Sequence, residues 1–402
     1  MKIIIFTENS RAGGMDSFIK LLIKAWPKKD DTFVLICNEC HPGLSRLKKS
    51  LSKNVSIVSH SILLNWDIMN NLSFPLPNFL KKFLRFALRV VLAPYQFFAL
   101  RKLLKDNRGN NLISVNGAYP GGETCRLANI AWNSLGYGKS IHNIHNFAIT
   151  YRWFSFFYEY PMDYFLARAC KFFVGVSNAC SESLKVRFAF KNSDIQTIYN
   201  GISMSDSLND DDNLNNYPEI PADEKALLML AGYESRKGHE FLLKSMKEVF
   251  EFYPKTHLII CGSGSRKEKN HVKTLVSQII PNHNVYLLDF IPNPGYFIDK
   301  AYAVLIASQE FESFGLTVIE AMQRSTPVIS TDIGGLPEVI GKNGVCGFYC
   351  PKDDNSIYAE KILYLLENPN IAKTMGLKGL DRVKNIFSDT QMTEKYYDLL
   401  II

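Results

Sequence analysis

The residues of this chain that could carry chemistry crowd into one stretch, 308–338, which reads SQEFESFGLTVIEAMQRSTPVISTDIGGLPE. An apolar run ends at Ser308, and a polar loop with Glu310, Glu312 and Ser313 follows. Gly315 then opens a helical segment whose first turn is Leu316-Thr317-Val318. The first amides of a helix lack intrahelical partners, so this turn predicts a seat for a phosphate or an oxygen-rich sugar. Glu320 lies one turn further in. Carboxylates do not hold a phosphate, so Glu312 and Glu320 are expected to accept hydrogen bonds from hydroxyls. The eight-residue spacing of two glutamates is weak evidence by itself, since it arises about once by chance in such a composition. The whole string carries more: strand, Glu-Ser-Phe-Gly, helix with Glu-Ala-Met, Pro-Val-Ile, then Gly334-Gly335 and Glu338.

These residues need a frame to hold them. Short apolar runs alternate with amphipathic stretches from the start: IIIFT (3–7), TFVLIC (32–37), VSIVS, LISVN, KSIHNI and FFVGVS. Near-continuous apolar strands are buried on both faces, as in a parallel sheet covered by helices. A second series follows, with ALLMLA (226–231), HLIICG (257–262), NVYLLDF, YAVLIAS, TPVIST and GVCGFYC as strands. The fold class is therefore α/β, two Rossmann-like halves in tandem. Ligands of open parallel sheets bind beyond the carboxyl ends of the strands, so two such halves would face each other across a deep cleft. The predicted organisation is a first domain at 1–202, a polar, acidic linker at 203–223, a second domain at 224–387 and a C-terminal helix at 388–402. That last helix is expected to pack back on the first domain.

The dense string ESFGLTVIEAMQRSTPVISTDIGGLPEVI resembles the E-x7-E region of family-4 glycosyltransferases, which have the GT-B fold. Further matches follow the chain. Gly13-Gly14 resembles the family's glycine turn after the first strand. Val174-Gly-Val-Ser177 resembles its V-S strand end, and Ile198-Tyr-Asn-Gly-Ile202 resembles the end of its first domain. Gly232 through Gly238 (GYESRKG) looks like its basic diphosphate loop, and Gly262-Ser-Gly264 resembles its G-x-G turn. The resemblance implies roles. Glu312 would contact the donor sugar and Glu320 the ribose. Ser313, Phe314, Gly315 and Leu316 would offer amides to the sugar and diphosphate. Lys237, helped by Arg236, would neutralise the diphosphate, and His145 would lie near the donor sugar. Positioned cations answer a physical need here, because a leaving nucleoside diphosphate develops negative charge. One departure stands out: Tyr233 occupies the position where the family usually carries arginine.

Composition sets the remaining bounds. The chain has 402 residues, 47% hydrophobic and 21% charged, which excludes disordered and collagenous classes. The net charge of +7 comes from segment 77–105, which holds Lys81, Lys82, Arg85, Arg89, Arg101, Lys102, Lys105 and no acid. A nucleic-acid partner is therefore not indicated. With its many phenylalanines, that segment reads as helical and suited to an anionic bilayer, with Pro94 expected to break it in two. Removing the charges at Lys81, Lys82, Arg85 and Arg89 should weaken liposome binding. The aromatic run 151–164 could share that role. No run reaches about 18 uninterrupted apolar residues, and the start reads as a buried strand. The expected location is the cytoplasm, peripheral on the inner face of the membrane. Cys37-Asn-Glu-Cys40-His41 spells a haem-attachment pattern, but Cys37 falls at a strand end and free thiols are expected throughout. Asp210-Asp211-Asp212 imitates metal-binding aspartates but sits in the linker, and no cluster demands a metal.

The expected function is a retaining, metal-independent glycosyltransferase that needs no cofactor. Its co-substrate would be a UDP- or GDP-linked nucleotide-sugar donor. Its acceptor would be a glycan or a polyprenyl-linked lipid, in assembly of bacterial surface polysaccharide. A nucleotide-sugar 2-epimerase of the same architecture and a donor-binding scaffold are the alternatives.

Overall fold

The computed structural model describes residues 1–11, 13–51, 54–71, 77–204 and 217–402. Asp210 to Asp212, and most of the expected linker, lie outside the described residues. The chain divides into two units, Met1–Gly201 with Asp389–Ile402, and Ile202–Ser388.

The first unit is built on a seven-stranded sheet among the described residues. Its strands are β1 (Lys2–Thr7), β2 (Thr32–Asn38), β3 (Val55–His60), β4 (Asn111–Asn116), β5 (Ser140–Ile144), β6 (Cys170–Gly175) and β7 (Ile195–Thr197). They run parallel in the order β3-β2-β1-β4-β5-β6-β7. The residues Ile3, Ile4, Ile5 and Phe6 of β1 are all buried, because helices cover both faces. The final helix, Asp389–Ile401, belongs to this unit. Its Met392 and Tyr396 join the core with Phe18, Leu22 and Val174. Asn143 donates to the Tyr396 hydroxyl at 2.6 Å, and Thr393 donates to the Ala25 carbonyl at 2.8 Å.

The second unit repeats the plan with six strands among the described residues: β8 (Ala226–Leu230), β9 (His257–Cys261), β10 (Asn284–Leu288), β11 (Ala303–Ile306), β12 (Val328–Thr331) and β13 (Phe348–Cys350). The order is β10-β9-β8-β11-β12-β13, again parallel. Of the run GVCGFYC only the last three residues form strand. Gly344 and Gly347 instead close a turn, the Gly344 amide donating to the Gly347 carbonyl at 2.8 Å. In both sheets the strand order reverses beside the first strand of the unit, between β1 and β4 and between β8 and β11. A crevice opens there at the carboxyl ends of an open parallel sheet.

The basic segment departs from expectation. A single helix, Asn78–Asp106, runs unbroken through Pro94. Proline removes one backbone hydrogen bond, but the buried side of this 29-residue helix holds it together. Ala93, Leu100 and Leu104 anchor it on the core beside Trp132.

Candidate active site

In the second unit the reversal falls between the loops that follow β8 and β11. The first loop carries a short turn, Ser235–Lys237, ending on Gly238, which caps the helix His239–Phe252. Gly238 has φ +75°, and a Cβ there would lie 1.8 Å from the Ala307 carbonyl oxygen. Only glycine lets the basic loop sit directly on the end of β11. The amide of Gln309 donates to the Arg236 carbonyl at 2.8 Å and ties the two loops together. The result is a short ion pair, Lys237 Nζ to Glu312 Oε2 at 2.5 Å, with both side chains about four-fifths covered. Ser308, at the end of the same strand, donates to that carboxylate oxygen at 3.3 Å.

The loop then turns into the helix Leu316–Gln323 through Gly315, at φ +94°. Phe314 points its side chain inward and meets Phe387 edge-on at 5.7 Å, so only its backbone borders the loop surface. Ser313 is half-buried, and the Gly335 amide donates to the Glu312 carbonyl at 2.9 Å. The Gly-Gly turn after β12 thus buttresses the Glu312 backbone. Glu320 is half-buried on the helix; burial raises its carboxyl pKa and Arg324 partly offsets the rise. Gly262 follows β9 and lies against the Ala231 carbonyl, where a Cβ would come within 1.8 Å.

Arg236 bends back to Glu234 at 2.5 Å and lies over the Phe311 ring at 4.9 Å. Tyr233 points the other way. It is buried, and its hydroxyl shares its proton between the carbonyls of Leu288 (2.8 Å) and Ile260 (3.1 Å). Its ring stacks on His239 at 5.5 Å. Tyr233 therefore braces β9 and β10 from below the loop, and Lys237 is the loop cation that meets Glu312.

Residues 210–382 match the family model described as Glycosyl transferases group 1. The second unit is thus similar to the group 1 glycosyl transferases. The N-acetyl-alpha-D-glucosaminyl L-malate synthase of Bacillus anthracis is 29% identical over 215 residues, 52% of this chain and 55% of that protein. The chain spans about half the length of the curated relatives it matches. Among solved structures, a glycosyltransferase from Rickettsia africae superposes with a TM-score of 0.76 at 19% identity, over 99% of this chain and 98% of that one. HepE of Anabaena, solved in complex with UDP-glucose, gives 0.70 at 14% identity over 100% and 99%. At such identities the likeness concerns the fold, and that fold is GT-B.

In the first unit, the glycine turn after β1 caps the helix Gly14–Lys24. Gly13 is exposed, with open space where a Cβ would stand, and its amide donates to Asp16 at 3.2 Å. Gly14 is exposed beside it. His145 follows β5 with its ring edge-on to Phe18 at 4.5 Å. Burial holds its imidazole at about 3, so it is neutral near pH 7. His142 is fully buried, 3.0 Å from the Asn129 amide and between the rings of Tyr119 and Phe173. It is a packing residue. Cys37 is buried, Cys40 is exposed, and all eight cysteines are free. Among the described residues no metal-ligating cluster of His, Cys, Asp or Glu assembles.

Sequence reasoning took Ser308 only as a strand end and Gly238 only as the close of the basic loop, and gave neither a role of its own in the site. The Lys-Gly pair just before an amphipathic helix was the available signal for Gly238. It also missed a buried charge network in the first unit. Asp163 accepts from Arg187 Nε at 2.7 Å and from Arg126 at 3.5 Å, and also bonds the Tyr119 hydroxyl. Glu159 accepts from Arg187 at 2.8 Å, and Glu123 pairs with Arg126 and Arg89. No local motif announces such a network, because its members are spread from residue 89 to residue 187.

Proposed function

We propose that this chain transfers a sugar from a nucleotide-sugar donor to an acceptor hydroxyl, with the donor held by the second unit. The observation that carries the reading is the Lys237–Glu312 pair, set at the reversal of the second sheet beside the helix that Gly315 opens. A nucleoside diphosphate needs a positioned cation and hydrogen-bond donors, and Lys237 and the first turn of the helix Leu316–Gln323 would supply them within one loop pair. HepE of Anabaena was solved in complex with UDP-glucose, which fits the same reading.

In this reading Lys237 takes the leaving diphosphate and Glu312 accepts a hydrogen bond from a sugar hydroxyl, each exchanging its present partner for the donor. The acceptor oxygen attacks the anomeric carbon on the face from which the diphosphate departs. The carbon–oxygen bond to the diphosphate breaks, and the acceptor proton passes to the departing phosphate oxygen. Configuration is retained, and neither a protein nucleophile nor a metal is assigned a step. Glu320 would receive the ribose. The acceptor would be a glycan or a lipid-linked sugar of a surface polysaccharide.

The test is a thermal-shift comparison of UDP and GDP with their sugar conjugates, followed by turnover. A ligand that binds only the folded protein raises its melting temperature. One diphosphate should do so, and Lys237→Ala should remove the shift. Turnover should fall by about 10²–10³ in Lys237→Ala, the usual scale for one lost charge stabiliser. Transfer should vanish in Glu312→Ala. A shift that survives Lys237→Ala, with turnover intact, would sink the assignment.

A further inference from the structure

We propose that the first unit docks on an anionic lipid surface, using one face made by the helix Asn78–Asp106 and the aromatic stretch that begins at Trp153. The helix is long and apolar enough to cross a membrane by length and composition, yet only 17% of its most apolar window is buried. A core helix would be covered. Here one side is anchored by Ala93, Gln96, Leu100 and Leu104, and the opposite side is bare.

That bare side carries Val91, Tyr95 and Phe98, exposed at the three-to-four spacing that stacks side chains on one helix face, and Phe79 and Phe83 are exposed one turn apart nearer the start of the helix. Phe79 is 75% exposed. The patch continues onto the next segment: Phe86 meets Phe154 at 5.8 Å and Phe157 at 5.6 Å. Beside them stands Trp153, 89% exposed. Water-soluble surfaces rarely leave so many contiguous aromatic rings uncovered unless they bind something.

Charge decides what. Lys81, Lys82, Arg85, Arg101, Lys102 and Lys105 are all exposed along the same helix, and the segment 77–105 contains no acid. Exposed aromatics flanked by these six cations, with Asp106 at the far end as the helix's one acid, suit an interface of acyl chains below and anionic headgroups above. Arg89 is not part of this set. It is committed inward, to Glu123 at 2.8 Å and Glu159 at 3.4 Å, which corrects the expectation that it reaches lipid. The same inward bonds, with Gln96 donating to the Leu63 carbonyl at 2.7 Å, hold the helix on the protein. The helix therefore lies on the membrane plane and does not thread it.

The experiment is co-sedimentation of the full chain with vesicles of phosphatidylglycerol mixed with phosphatidylcholine, against phosphatidylcholine alone. Binding is expected only to the anionic vesicles and should weaken as salt rises. Each basic residue near such a surface contributes about fivefold, so K81Q/K82Q/R85Q should bind on the order of a hundredfold more weakly. W153S/F157S should lose about tenfold or more. All five positions are exposed, and an unchanged melting curve will show that the variants fold. Three results would overturn the proposal. One is no preference for anionic vesicles. Another is binding that both variants leave intact. The third is attachment that resists high salt and carbonate, which would mean a spanning helix.

Discussion

The rims at the carboxyl ends of the two sheets share a topology and differ in how they use charge. In the second unit, Lys237 and Glu312 meet at the surface, each still partly open to water. In the first unit several charged side chains, Glu8 just after β1 among them, are spent inside. Glu8 accepts from the Thr124 amide (2.8 Å), the Thr124 hydroxyl (2.6 Å) and Trp66 Nε1 (2.8 Å), and burial raises its pKa. Asp163, Arg126 and Arg187 are sealed among themselves. One rim keeps its charges available for a ligand; the other turns them into scaffold. The lesson is that a charged residue at a strand end signals binding only when its partners leave part of it exposed.

That contrast can be broken most forcefully inside the first unit. Asp163→Asn leaves Arg126 and Arg187 buried with less compensation, and should cost about 3–5 kcal/mol of stability. Chemical denaturation measures it. Lys237→Ala, by contrast, should stay within about 0.5 kcal/mol of wild type in the same assay, as surface changes usually do. If the two variants melted alike, the division between scaffold and ligand charges would fail.

A smaller effect sharpens the same point through pH. Burial holds His142 at about 3, against about 6.5 when unfolded. The unfolded chain then binds the extra proton between those values, so stability falls as pH drops through that window. The loss should be about 1.4 kcal/mol at pH 5.5 for this one histidine. Replacing it, as His142→Gln, should flatten the dependence by that amount; an equally steep curve in the variant would show that the imidazole is not what titrates.

The smallest effect concerns Tyr233. Tyr233→Phe gives up the hydroxyl that braces the carbonyls of Ile260 and Leu288, and should cost about 1 kcal/mol with little change in donor binding. A large loss of binding with stability intact would place Tyr233 in the site after all.

The sheets were legible in the sequence because apolar runs such as Ile3–Phe6 and Leu258–Cys261 are continuous, a pattern that only burial on both faces explains. The loop pair was legible because its members are close in sequence to the strands that present them. The unbroken helix through Pro94 was not, since tertiary anchoring by Leu100 and Leu104 lies outside any local rule. Neither was the inward turn of Tyr233. Its side chain answers to the carbonyls of β9 and β10, which are distant in the chain. Arg89 shows the same limit: composition counted it with its basic neighbours, while Glu123 and Glu159 claim it.

The return of Asp389–Ile401 to the first unit has a consequence for how the molecule is made. A ribosome releases the amino-terminal 201 residues first, but their core still lacks Met392 and Tyr396. The whole of Ile202–Ser388 must be synthesised before that gap can close. At about 5–20 residues per second the wait is on the order of 10–40 seconds. During it the apolar groove around Phe18 and Leu22 stands open to chaperones and to aggregation. The second unit, continuous in sequence, can fold while the first is still waiting for its last helix.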